Sequence, residues 1–140
     1  METDNMVRRR IISDLMAQHT DKIADASIDL WEQMATQIIL IVGEGGFNSL
    51  YARSLFLTRS TFPWLPNGSV PAQANQRFSE LKISFEEQPP LQANKANSQL
   101  LITFTDILAS LIGEHLTIRI LRSAWGNDAL DRFGKEFKNE

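Results

Sequence analysis

Apolar residues recur every three or four positions along most of this chain, which is the spacing of one face of an α-helix. Residues 20–42 show it most clearly, and the stretch begins with Thr20, a good N-cap, and Asp21 in the first turn. One side of this helix carries the apolar or small residues Ile23, Ser27, Trp31, Met34, Ile38 and Ile41. The pattern predicts a long amphipathic helix that ends at Gly43.

The same periodicity continues beyond Gly43. Residues 47–62 predict a second helix that stops before Pro63, because proline disfavours helical geometry in the residue before it. Further helices are predicted over residues 74–85, 91–112, 116–125 and 130–137, with an N-terminal helix over 6–17. The helix over 91–112 ends at Gly113.

The prolines divide the chain into helical segments. All five fall within residues 63–71 and 89–90, and strict alternation of apolar and polar residues is rare elsewhere. We therefore predict an all-α protein, a helical bundle of five to six helices. At 140 residues the chain is about one domain long. We divide it into an N-terminal arm or short helix (1–19), a bundle domain (20–126) and a C-terminal short helix and tail (127–140).

One pattern occurs twice. The pair Gly43-Glu44 follows the first long helix and the pair Gly113-Glu114 follows the fourth. An Arg-Ser pair and then a tryptophan come after each: Arg59-Ser60 and Trp64, then Arg122-Ser123 and Trp125. The simpler interpretation is two ordinary helical hairpins with glycine C-caps. The alternative is a duplicated hairpin, packed about a pseudo-twofold axis.

Composition excludes several classes of protein. The chain has no cysteine, so it has no disulfide, thiolate zinc site, iron–sulfur cluster or cysteine nucleophile. A net charge of -3 argues against a nucleic-acid partner. The run Arg8-Arg9-Arg10 precedes only two isoleucines, and the longest apolar run, residues 38–42, is far below the ~20 residues that span a bilayer. We expect a cytoplasmic protein without a membrane partner.

Glycine and histidine residues suggest no cofactor or metal site. The segment 43–47 has three glycines but lacks the lysine and hydroxyl residue of a phosphate-binding loop, so we interpret it as a tight turn between helices. His115 has Glu114 beside it, and no Glu-x-x-His motif occurs. We therefore predict no cofactor and no enzymatic activity.

His19 offers one alternative function. With Lys22 it gives the spacing His-x-x-Lys, which resembles the phosphoacceptor motif of histidine phosphotransfer domains, themselves helical bundles of similar length. This resemblance implies a signalling role in which His19 carries a phosphoryl group. Ile23 stands where those domains have glycine, and His19 precedes the predicted cap Thr20.

Two polar stripes interrupt the apolar pattern. Asp25, Asp29 and Glu32 lie on one side of the first long helix, as a solvated face or as a docking surface for a basic partner. Asp106 lies among apolar residues of the fourth helix, and a partly buried carboxylate needs a donor. Its candidate partners are Arg53, Arg59, Arg119 and Arg122. We favour a structural ion pair; a site for a small anionic ligand is the alternative.

Apolar residues also occur where helical spacing cannot bury them. Phe62, Trp64 and Leu65 fall in a proline-rich connection, so they either cover the end of the bundle or form an interface. We expect a small regulatory or protein-interaction module, bacterial in style, that recognises another protein through a helix face and self-associates as a homodimer.

Overall fold

The computed structural model of the protein describes residues 3–17, 23–67 and 77–125. It contains five helices: α1 (Asp4–Ala17), α2 (Ile23–Thr58), α3 (Ser79–Glu86), α4 (Pro90–Ile112) and α5 (Glu114–Trp125). They pack around one hydrophobic core, and these ranges contain no strand. The predicted all-α bundle is confirmed.

Gly43 divides α2 into two antiparallel arms, residues 23–42 and 44–58. Its φ of 82° and ψ of 166° interrupt the helix at a single residue. Gly113, between α4 and α5, has nearly the same conformation, with φ 93° and ψ 152°. This region is accessible essentially only to glycine. The turn predicted over 43–47 is therefore shorter than expected, because Gly45 and Gly46 already belong to the second arm.

Other helix boundaries differ from the predictions by a few residues. The second arm ends at Thr58 instead of residue 62, because the backbone N–H groups of Thr61 and Phe62 both bond the Thr58 carbonyl and form a turn. The helix α4 starts at Pro90, since proline is tolerated in a first turn, and α5 starts at Glu114. The predicted cap Thr20 and the predicted helix over 130–137 lie outside the described residues.

The core is centred on Trp31 of the first arm. Its ring contacts Tyr51 of the second arm, Phe78 before α3 and Phe104 of α4, with centroid separations of 5.2 to 5.8 Å. Its indole N–H donates to Asn97 Oδ1 at 2.7 Å, which satisfies the polar end of a fully buried side chain. One residue thus connects α2, α4 and the segment that leads into α3.

The two glycine corners lie at the same end of the bundle. Arg77, just before α3, bonds the glutamate that follows Gly43, whereas Phe85 near the end of α3 contacts Trp64, beyond the far end of the second arm. The helix α4 therefore begins at the end away from Gly43 and runs back toward it, which places Gly113 at the same end as Gly43.

The buried positions of the two hairpins fall at matching places. Gly113 follows Gly43 by 70 residues, and the same offset relates buried positions in both arms. Pairs with both members buried include Leu30 and Leu100, Trp31 and Leu101, Met34 and Phe104, Ile38 and Leu108, Leu50 and Ile120, Tyr51 and Leu121, and Leu55 and Trp125. Both interpretations of the repeat predict this match, because two antiparallel hairpins that turn at the same end of one core bury corresponding helical positions. The Arg-Ser pairs and the tryptophans do not occupy matching positions in the two hairpins, because Trp64 lies after α2 while Trp125 matches Leu55.

The corner conformation makes a substitution at Gly43 costly. No atom lies within 4 Å of a Cβ added at Gly43 or at Gly45, so the two positions differ only in backbone conformation. We expect Gly43→Ala to lower the free energy of unfolding by about 1–3 kcal/mol through strain. The control Gly45→Ala, in a helical segment, should raise it by up to about 1 kcal/mol. Urea denaturation measures both, and equal effects would contradict the strain argument.

Candidate functional site

Arg8 of α1 is the only charged side chain that is fully buried among the described residues. Its Nη1 donates to Thr105 Oγ1 at 2.6 Å, and its Nη2 donates to Asp106 Oδ1 at 2.5 Å. Both acceptors belong to α4. A cation removed from water needs such compensation, because an unpaired buried charge is strongly unfavourable.

Glu114, the first residue of α5, completes the pairing of Arg8. The Arg8 Nε and Nη2 atoms donate to Glu114 Oε2 and Oε1 at 2.9 and 3.1 Å, a bidentate arrangement. Burial alone would lower the pKa of Arg8, but the bonds to Glu114 and Asp106 raise it above its ordinary value. The hydrogen bond from Arg8 in turn lowers the pKa of Glu114. Arg8 thus holds α1 against α4 and α5.

Two more residues of α1 surround this ion pair. Arg9 Nη2 donates to Asp106 Oδ2 at 2.8 Å, and Asn5 Nδ2 lies 3.4 Å from Asp106 Oδ1 and 3.5 Å from Glu114 Oε1. We call the set Asn5, Arg8, Arg9, Thr105, Asp106 and Glu114 the Arg8 network. Its protein donors and acceptors are matched to one another, which is the arrangement of a structural clamp.

The predicted partners of Asp106 are wrong. Asp106 does form an ion pair, but its cations are Arg8 and Arg9, because α1 packs on this side of α4. The four arginines named from the sequence are exposed on the second arm and the turn after it, or on α5: Arg53, Arg59, Arg119 and Arg122. The structure does not bring them to Asp106, so the anion site predicted from Arg53, Arg59, Arg122 and Asp106 is not assembled.

A second arginine holds the other glycine corner. Arg77 Nη2 donates to Glu44 Oε1 at 3.2 Å, and its guanidinium lies 5.4 Å from the centroid of the Phe47 ring. Glu44 follows Gly43 as Glu114 follows Gly113. Each corner glutamate is therefore held by an arginine from a segment that precedes the opposite hairpin.

The histidines and glycines considered above as metal, anion or phosphoryl sites form no such site in the described residues. His115 is exposed on α5, and the described residues contain no group of three or more side chains suited to a metal ion. Gly45 and Gly46 are helical and do not form a loop around an anion. The predicted phosphoacceptor His19 lies outside the described residues.

The acidic stripe of the first arm, Asp25, Asp29 and Glu32, is a solvated face. All three residues are exposed, as predicted from their spacing. Lys82 Nζ of α3 lies 3.1 Å from Asp25 Oδ1, and Gln33 Nε2 donates to Asp29 Oδ2 at 3.3 Å. These contacts leave most of the stripe available to a partner.

The aromatic connection folds back onto the protein's own core. Leu65 is buried, and Phe62 and Trp64 are partly buried against the core cluster. The Trp64 ring contacts Phe62 and Phe85, with centroids 6.0 and 6.1 Å apart. Of the two predicted roles, the structure favours a cover over the bundle end.

The most exposed large apolar side chain of the described residues lies near a glycine corner instead. Leu40 and Ile41 fall near the end of the first arm, Leu111 near the end of α4, and Leu116 in the first turn of α5. Leu40 is 80% exposed and Leu111 65%. We call these four residues the corner patch. Periodicity assigned Ile41 to the apolar side of its helix, but it lies too close to the end of the bundle for another helix to cover it.

Comparison with known proteins identifies no relative. No protein-family model, curated protein or solved structure matches the chain. None of the helices in the described segments combines the length and apolar character needed to cross a membrane.

Loss of Arg8 should release α1. We expect Arg8→Met to lower the free energy of unfolding by about 1–3 kcal/mol, because Thr105, Asp106 and Glu114 lose a donor while both carboxylates stay partly solvated. The control Arg9→Met removes the partly exposed arginine that also pairs with Asp106, and it should lower the free energy of unfolding by about 1 kcal/mol or less. Chemical denaturation measures both, and amide exchange should rise first in α1. Equal stability of Arg8→Met and wild type would contradict the clamp.

Acid should weaken the same clamp. Because the folded protein lowers the pKa of Glu114 below its ordinary 4.5, this residue stabilises the fold above that pH, and the contribution disappears as the pH falls below it. We expect the stability of wild type to decline more steeply with acid than that of Glu114→Gln, which has no proton to gain. Urea midpoints at a series of pH values test this, and parallel curves would contradict it.

Proposed function

We propose that the protein is a small, cytoplasmic, all-helical interaction module that recognises another protein through its corner patch. The single observation that carries this proposal is the exposure of Leu40 and Leu111 next to the two glycine corners. Burial of apolar surface contributes about 25 cal/mol per Å². Both side chains lie at the corner end of the bundle, and exposed apolar surface of this kind is typical of binding sites.

The surroundings of the patch favour recognition over catalysis. Its residues lie at the ends of packed helices, so a partner meets a surface that is already ordered and loses little conformational entropy on binding. The adjacent Glu44 and Glu114 are engaged with Arg77 and Arg8, which leaves apolar contact as the main source of affinity. We retain the prediction that the protein is not an enzyme.

The two alternative functions have weaker support. A small-anion sensor would need the exposed arginines and Asp106 at one place, and Asp106 is occupied by Arg8 and Arg9. Phosphotransfer through His19 has no supporting contact in the described residues. A regulatory role in signalling is compatible with an interaction module, and the identity of the partner would decide it.

Photocrosslinking tests the corner patch. A benzoylphenylalanine placed at Leu40 or Leu111 in the native host should give defined protein adducts, because a bound partner lies within reach of the probe. The matched control is Gln99, an exposed residue of α4 outside the patch. Leu116→Ser should reduce the adduct formed at Leu111, and circular dichroism checks that this variant keeps its helix content, because Leu116 is only 37% exposed. Identical products at Leu111 and Gln99, or none at either patch position, would contradict the proposal.

A further inference from the structure

A second exposed apolar group lies on the second arm of α2, flanked by arginines. Phe56 is 67% exposed and Leu57 40%, and the neighbouring Arg53 and Arg59 are also exposed. Neither arginine forms an ion pair with a described residue. We call these four residues the arginine face. An aromatic ring between such arginines has the composition of a protein-interface hot spot.

The first arm of the same helix hairpin carries the opposite charge. Asp29 and Glu32 are exposed there, and no described lysine or arginine forms an ion pair with either carboxylate. Lys82 forms an ion pair with Asp25 at one end of the stripe and interacts with Glu32 only at longer range. Within the described part of the chain, one hairpin thus presents both carboxylates and arginines that lack an ion-pair partner.

The two charged surfaces lie at matching heights along the hairpin. Glu32 precedes Gly43 and Arg53 follows it by similar numbers of residues, so at 1.5 Å per residue both lie roughly 15 to 17 Å from the corner. From Asp25 to Glu32 the acidic stripe extends about 10 Å along the helix axis, and Arg53 and Arg59 are about 9 Å apart. The acidic stripe of one copy therefore matches the arginine face of another copy in length and is opposite to it in charge.

We propose that a second copy of this chain docks its acidic stripe on the arginine face, which pairs Glu32 with Arg53 and covers Phe56 and Leu57. An unrelated acidic partner would satisfy the arginines but would leave Asp29 and Glu32 without an ion-pair partner from the described residues. A second copy satisfies both surfaces. This contact uses a different surface from the corner patch, so it stands or fails independently of the proposed function.

Charge reversal tests this contact in the purified full-length protein. Sedimentation velocity should show concentration-dependent association of wild type that weakens with added salt. Arg53→Glu and Glu32→Arg should each weaken the association at least about tenfold, which corresponds to about 1.4 kcal/mol. Phe56→Ser should weaken it as well. Circular dichroism confirms that each variant keeps its helix content.

A mixture of the two charge variants gives the decisive result. In a mixed pair, the carboxylate introduced at position 53 of one variant meets the guanidinium introduced at position 32 of the other. The unchanged Glu32 of the first variant meets the unchanged Arg53 of the second, so association should return toward the wild-type strength. The control Arg119→Glu reverses an exposed arginine on α5 and should change association little.

Three results would overturn the proposal. The first is a wild type that stays monomeric at its highest soluble concentration. The second is an Arg119→Glu variant that loses as much association as Arg53→Glu, because the effect would then follow net charge instead of this contact. The third is a mixture of Arg53→Glu and Glu32→Arg that does not associate.

Discussion

The reversal of the chain at single glycines is the constraint on which the rest of the structure depends. Because Gly43 and Gly113 turn within one residue at positive φ, each long helix is followed immediately by an antiparallel arm. The arms of each hairpin are therefore forced into contact, and Trp31 meets Tyr51 across the first one. Near these tight corners Leu40 and Leu111 face solvent.

Local sequence patterns were sufficient to predict the helices but not their tertiary partners. Periodicity and proline positions indicated the long helices and both glycine breaks, because these signals act within a few residues. The Arg8 network could not be derived in this way. The basic run at residues 8–10 has the composition of a solvated segment, and Arg8 differs from its neighbours only because α4 and α5 enclose it. The sequence identified Asp106 as a carboxylate in need of a donor, and only the fold shows which donor it has.

Charge has two separate roles in the molecule. At the glycine corners, Arg8 and Arg77 hold the segments that precede α2 and α3, with the corner glutamates as acceptors. Outside, charges of opposite sign lie on different arms of α2, and most of them form no ion pair with the described residues. The ion pairs of Arg8 and Arg77 determine where helices pack, while the exposed charges on α2 are available to select a partner. A substitution at Arg8 therefore tests the stability of the fold, whereas a substitution at Arg53 tests recognition of a partner.

The bond between Arg8 and Glu114 joins residues 106 positions apart, about three quarters of the length of the chain. During synthesis α1 leaves the ribosome first, yet its docking surface on α4 and α5 is completed last. A contact of such long range is slow to form, because its loop closure must precede any gain in stability. Until then the chain carries an N-terminal helix whose Arg8 lacks its native acceptors, and closure of α1 completes the packing on α4 and α5.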